Sequence, residues 1–250
     1  MTVRMALRSD AADPLAGLDE ADALPADLLW IESQGGGGEP AILHACAAAA
    51  ARTARVGIVA AGIRTPLHHP LRIAEDLASL DGLAAGRVEL ALASAGDDAS
   101  RLEDDLAVLR QAWSDEPVEH AGAVHTFSGV DVHPKPHRPG GPPIWLEADE
   151  SAGSEAPPGA AASRAAERGV GLVAWTLDAA RLYLERWAEL GLPDREARIA
   201  LRLPWGEPSS PPASLANALD GARVRAERAA AELSVSLVGI YTPGRTEGAL

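Results

Sequence analysis

Cysteine is almost absent: Cys46 is the one thiol in 250 residues. That excludes an intramolecular disulfide framework and suits a reducing, cytoplasmic setting. Lysine is as scarce. Lys135 stands alone, arginine supplies the other fixed positive charges, and the formal balance is −14. So acidic a chain lacks the clustered Lys and Arg that nucleic acid or an anionic membrane surface requires. Also missing is any strongly apolar run of the roughly 18 residues a bilayer span needs. "AILHACAAAAA" is too short and too rich in alanine. The opening "MTVRMALRSDAADPL" lacks the unbroken apolar centre of a signal peptide. These absences predict a cytoplasmic protein with neither nucleic-acid nor membrane partners.

What is present is an alternation. At 47% hydrophobic the chain can bury a sizeable core, and 1–250 is expected to form one compact domain. Strand-like runs are "VRMAL" (3–7), "LLWIE" (28–32), "RVGIVAAGI" (55–63), "RVELALA" (87–93), "PIWLEA" (143–148), "GLVAWT" (171–176), "RIALRLPW" (198–205) and "VSLVGIY" (235–241). Helix-like segments lie between them near 14–24, 40–52, 70–84, 99–113, 160–168, 178–190 and 213–232. Continuous apolar strands separated by amphipathic helices predict βαβ units around a parallel sheet buried on both faces. Eight such strands predict an α/β fold, the (β/α)8 TIM barrel. An open doubly wound sheet is the alternative. The tail 242–250, "TPGRTEGAL", is short and polar, so the last helix is expected to be missing and the tail flexible. Residues 114–142 break the rhythm and predict a hairpin insertion before the fifth barrel strand. Residues 149–159, "DESAGSEAPPG", predict a loop at the C-terminal mouth, where barrel active sites are built.

Several stretches that suggest chemistry have plainer readings. "GGGG" at 35–38 follows Glu32-Ser33-Gln34 but lacks the Gly-Lys-Ser/Thr or G-x-G-x-x-G context of a phosphate cradle, and predicts a loop. His120, His125, His133 and His137 have no zinc-like spacing, so no metal is expected. "ESAGS" has no nucleophile elbow around either serine. Asp104 and Asp105 fall early in a helical pattern, where acids favour the positive dipole end. Cys46 sits in an alanine-rich helix and is expected to be a small core or interface residue. Helices 40–52 and 70–84 carry small or apolar faces that suit packing on the barrel or, more specifically, a homodimer seam.

"RVGIVAAGIRTPLHHPLRIAEDLASLDGLAAGRVELALA" (55–93) resembles the bacterial luciferase-like monooxygenase family. The likeness lies in the order His69-Pro70, Ala74-Glu75-Asp76, Leu80-Asp81 and Gly86-Arg87. It extends through "LLWIE", "EPVEHAGAVHTFSGVDVHPKPHRPGGPPIWLEA" and "AAERGVGLVAW", across roughly 25–190.

The resemblance implies a barrel whose mouth holds reduced FMN or, alternatively, a deazaflavin, and a dimer through 40–52 and 70–84. It places Glu32 and Ser33 as catalytic lining, Ser33 standing where the family often has histidine. Ala61-Gly62 falls where family members often hold a non-proline cis peptide against the flavin. Ser94 lies where the family often has a phosphate-holding arginine nearby. Asp149, Glu150 and Ser151 match a polar cofactor-binding element, and Trp175 a position near the ring. The mouth would be acidic, with Glu32, Asp97, Asp98, Asp149 and Glu150, and with Arg64 and Arg101 as counter-charges. The implied function is a flavin-dependent monooxygenase or oxidoreductase using reduced FMN, from a separate flavin reductase, and O2 on a small organic substrate. The alternative is a catalytically silent barrel, without cofactor, that binds or scaffolds.

Overall fold

A computed structural model describes residues 3–10, 21–32, 39–93, 99–147, 159–203, 215–233 and 237–241. Eight parallel strands close into a barrel in the order β1 (Val3–Asp10), β2 (Leu28–Glu32), β3 (Gly57–Ile63), β4 (Val88–Ala93), β7 (Ile144–Glu147), β8 (Gly171–Ala174), β9 (Ile199–Leu203) and β10 (Leu237–Tyr241). The ring is sealed by β1 on β10, in register from Val3 with Leu237 to Leu7 with Tyr241. The open doubly wound sheet is thereby excluded. Around the ring lie α1 (Glu39–Arg52), α2 (Pro70–Leu83), α3 (Ala99–Ala112), α4 (Ala160–Glu167), α5 (Leu177–Glu189) and α6 (Leu215–Leu233). Among the described residues, no helix is long and apolar enough to cross a membrane. The tail 242–250 and most of the helix expected at 14–24 lie outside the described residues.

Side chains alternate across each strand, so a barrel strand divides its residues between two cores. Met5, Leu29, Ile31, Ile58, Leu90 and Leu92 face the helices. Ala6, Leu28, Trp30, Val59, Ala61, Ala91, Trp145, Val173, Ala200, Val238 and Ile240 fill the interior. Most of these inner residues are small, and the two buried indoles take up the volume they leave. Gly171 is part of that fit: a Cβ there would lie 2.4 Å from Trp145 Cε3.

The residues behind the family likeness build this frame. Pro70 opens α2 at its first turn, where its missing N–H costs nothing, and Ile73, Ala74, Leu77 and Ala78 bury the inner face. Arg87 reaches the end of α1, donating to the carbonyls of Val56 at 2.6 Å and Thr53 at 2.8 Å. Asp81 is fully buried and accepts the Arg138 N–H at 3.1 Å, pinning the exit of the insertion. Cys46 is wholly buried in the outer core, and burial pushes its thiol pKa up, away from reactivity.

The insertion is an antiparallel hairpin, β5 (Val118–Ala121) and β6 (Thr126–Val130). Asp104 and Asp105 were expected to serve the helix dipole; the structure gives them to this hairpin instead. Asp104 Oδ2 accepts the N–H groups of Val124 and His125, each at 2.7 Å. Its Oδ1 lies 2.6 Å from His120 Nε2, and Asp105 Oδ1 lies 2.8 Å from His125 Nε2. Several specific hydrogen bonds to buried carboxylates outweigh a dipole effect of a few tenths of a kcal/mol to about one. Asp104→Ala is expected to cost about 1–2 kcal/mol by leaving part-buried donors unmatched. Faster proteolytic cleavage within 118–130, with a lowered Tm, would show it.

Candidate active site at the C-terminal mouth of the barrel

Both ends of the barrel interior use one design. Each buried indole donates to a glutamate, and each glutamate is paired with arginine. At the N-terminal end Trp145 Nε1 donates to Glu89 at 2.7 Å, and Arg4 pairs with Glu89 at 3.0 Å. At the C-terminal end the arrangement is larger and lies where barrel enzymes carry their chemistry.

Glu32, the last residue of β2, is its centre. Trp30 Nε1 donates to Glu32 Oε2 at 3.1 Å, and Arg8 from β1 pairs with Oε1. Arg202 from β9 approaches as a fork, Nη2 at 2.6 Å from Oε2 and Nη1 at 3.4 Å from Oε1. Arg202 Nη2 also lies 3.6 Å from Glu147 Oε2, at the end of β7. Glu147 Oε1 accepts the Gly62 N–H at 3.2 Å. The Arg202 guanidinium carbon stands 4.7 Å from the Trp175 ring centroid and 6.0 Å from that of Trp30. Trp175 is 51% exposed, so an indole face is presented at the rim beside a buried cation.

The environment divides the two carboxylates. Glu32 accepts from two guanidiniums and an indole N–H. Glu147 has weaker partners: burial pushes its carboxyl up to about 7, and the like charge of Glu32 adds to the rise. The charges of Arg202 and Arg8 and the Gly62 N–H act in the opposite direction. Burial alone would lower the pKa of Arg202, and its pairing with Glu32 and Glu147 more than offsets that. A carboxyl poised near neutrality can hold or release a proton under working conditions.

Of the residues expected at the site, the structure brings together Glu32, Ala61, Gly62 and Trp175. Glu32 is an ion-pair hub rather than a free base. Ala61 is fully buried in the barrel interior. The expected cis peptide at Ala61–Gly62 is not found: among the described residues the cis bond is His133–Pro134. Gly62 instead turns the chain with φ +76, where the β3–β4 register shifts. Among the described residues, a Cβ there would meet nothing within 4 Å, so they leave the backbone facing open space. Ser33, Ser94, Asp149, Glu150 and Ser151 lie outside the described residues. Arg64 and Arg101 were expected to balance the mouth; at Glu32 that part is taken by Arg8 and Arg202, Arg101 Nε lies 3.6 Å from Asp105 on α3, and the other acids, Asp97, Asp98, Asp149 and Glu150, lie outside the described residues. Among the described residues, no three His, Cys, Asp or Glu side chains converge as a metal site.

Arg8, Glu147 and Arg202 were missed by sequence reasoning. Their signal was parity: Arg8 follows Ala6, Glu147 follows Trp145 and Arg202 follows Ala200, each two residues on along an inward-facing row. A charge on that row needs a partner across the ring.

Residues 10–205 match the family model described as luciferase-like monooxygenase. A sulfoquinovose monooxygenase from Agrobacterium fabrum is 31% identical over 100 residues, covering 36% of this chain and 26% of that protein. The match thus spans about a quarter of that relative's length. Two solved structures share the fold. An F420-dependent secondary alcohol dehydrogenase, in complex with an F420-acetone adduct, superposes with TM-score 0.67 at 15% identity, covering 98% of this chain and 95% of that one. The oxygenating constituent of 3,6-diketocamphane monooxygenase from Pseudomonas putida, in complex with FMN, gives 0.59 at 18% identity, covering 80% and 67%.

Proposed function

Because the chain belongs to the luciferase-like monooxygenase family, we propose that its barrel mouth holds a reduced flavin-type cofactor and oxidises a small organic substrate. The observation that carries this reading is Glu147, a largely buried carboxyl poised at about 7 at the end of a barrel strand.

The described residues fit the flat ring of such a cofactor. Trp175 offers a half-exposed indole face, Gly62 faces open space among the described residues with no side chain of its own, and Arg202 supplies fixed positive charge beside Trp175. Ser94 and the segment Asp149-Glu150-Ser151 are assigned polar contacts by the family likeness. When bound, the cofactor would supply the electrons and the means of activating oxygen. The protein's own part is narrower. Trp175 and the backbone at Ala61–Gly62 orient the ring, and Glu147 holds a proton that it can release near neutral pH. Glu32 keeps Arg202 in place, and the family likeness assigns Ser33 to the catalytic lining. FMN from a separate reductase is the cofactor of this reading and a deazaflavin the alternative; the two structural relatives, in complex with FMN and with an F420 adduct, support both. A cytoplasmic homodimer through α1 and α2 belongs to the same proposal.

One observation favours a silent barrel instead: Arg202 is already engaged by Glu32 and Glu147 across the mouth. Fluorescence titration separates the readings. Saturable quenching of FMN in the micromolar range is expected, weakened about threefold to tenfold in Trp175→Ala by loss of ring contact. No quenching with either FMN or the deazaflavin would leave the silent barrel.

A further inference from the structure

We propose that the mouth takes a small organic oxyanion (a carboxylate, sulfonate or phosphate group) against Arg202, and that its binding brings one proton onto Glu147. The inference rests on reading the mouth as the ligand site and names the charge its ligand carries.

The argument starts from charge. Arg8, Glu32, Arg202 and Glu147 form one contiguous cluster, and Arg202 is only 9% exposed. With both glutamates ionised the four charges sum to zero. With Glu147 protonated they sum to +1. A buried cluster tolerates a net charge only if something compensates it. A monoanion is therefore unwelcome in the first state and is the missing counter-charge in the second.

Hydrogen bonding points the same way. Among the described residues, Arg202 Nε is buried with no hydrogen-bond partner, although a guanidinium has five donors in a rigid fork that suits an oxyanion. Glu32 can spare part of Arg202, because Arg8 and Trp30 Nε1 also hold it. Among the described residues, Glu147 is faced by Arg8 from β1, Glu32 from β2, the Gly62 N–H from β3 and Arg202 from β9. The proton comes from solvent and ends on the Glu147 carboxylate; no covalent bond is made or broken.

The test is calorimetric titration of methanesulfonate and acetate into the whole protein, with and without FMN. Two cationic buffers of different ionisation enthalpy are used, since phosphate and sulfonate buffers would compete. Close to one proton taken up per anion is expected at about pH 8, and almost none at about pH 5. Above about pH 7 the Kd should rise roughly tenfold per pH unit, and below it should level off. Glu147→Gln should bind with no proton uptake and a Kd independent of pH, and Arg202→Met should not bind. If the Gln variant does not fold, the proton count on the parent decides.

A Kd independent of pH in the parent overturns the inference, as does the same slope in Glu147→Gln or the absence of oxyanion binding. Competition between FMN and the probe assigns the oxyanion to the cofactor's phosphate; simultaneous binding assigns it to a substrate. FMN quenching without oxyanion binding removes this inference alone. Oxyanion binding without quenching by either FMN or the deazaflavin removes the flavin reading alone.

Discussion

Glu32→Ala is expected to destabilise the barrel by about 3–5 kcal/mol, the range for breaking a buried ion pair by removing one partner. For a chain of this size that is a fall of roughly 6–20 °C in Tm. The carboxylate is the shared acceptor of Arg8, Arg202 and the Trp30 indole. Without it the buried Arg202, the part-buried Arg8 and the Trp30 N–H lose their shared acceptor. Glu147, 3.6 Å from Arg202, can answer only one of the charges. Thermal unfolding followed by circular dichroism checks this. A useful contrast is Arg72→Ala, which removes an exposed i,i+4 pair with Asp76. It should change stability by only about 0.5 kcal/mol. Equal effects of the two variants would mean that the mouth cluster is not the buried network described.

The second large effect is a crossing of stabilities with pH. The Glu147 carboxyl is raised in the folded protein from an ordinary 4.5 to about 7, chiefly by burial. A carboxyl raised by folding contributes stability that is fully present below the ordinary value and is lost as pH climbs through the raised one. The shift corresponds to about 3 kcal/mol, at about 1.4 kcal/mol per pH unit. Glu147→Gln is neutral at every pH and has no such loss. Relative to the parent it should therefore gain about 3 kcal/mol between about pH 4 and pH 8. Urea unfolding of both proteins across that range measures the difference, in which other titrating groups largely cancel. A constant difference would place the Glu147 carboxyl in an ordinary environment.

The fold was legible because it is written in a local signal. Runs such as "LLWIE" and "VELALA" are too short for helices and apolar throughout, as strands covered on both faces must be. The strands end within a few residues of the expected positions. The site was legible only in part, for a physical reason. Positions 8, 32, 147 and 202 are scattered over nearly the whole chain, and only closure of the ring brings them together. Each is a single charge at the end of an apolar run, which resembles an ordinary strand terminus. Glu32 stood out because a glycine-rich stretch follows it, and Trp175 because of the family likeness. Arg8, Glu147 and Arg202 carried no such flag, and only inward parity marked them. Asp104 and Asp105 show the opposite failure: a sufficient local reason, the helix dipole, concealed a tertiary one.

The most direct measurement is a carbon-13 NMR titration of the Glu147 side-chain carboxyl, assigned by its loss in Glu147→Gln. A midpoint at about 7, falling when Glu32 is replaced by glutamine and its like charge is removed, is the expected result. A midpoint near 4.5, unmoved by that replacement, would contradict a mouth that stores a proton at neutral pH.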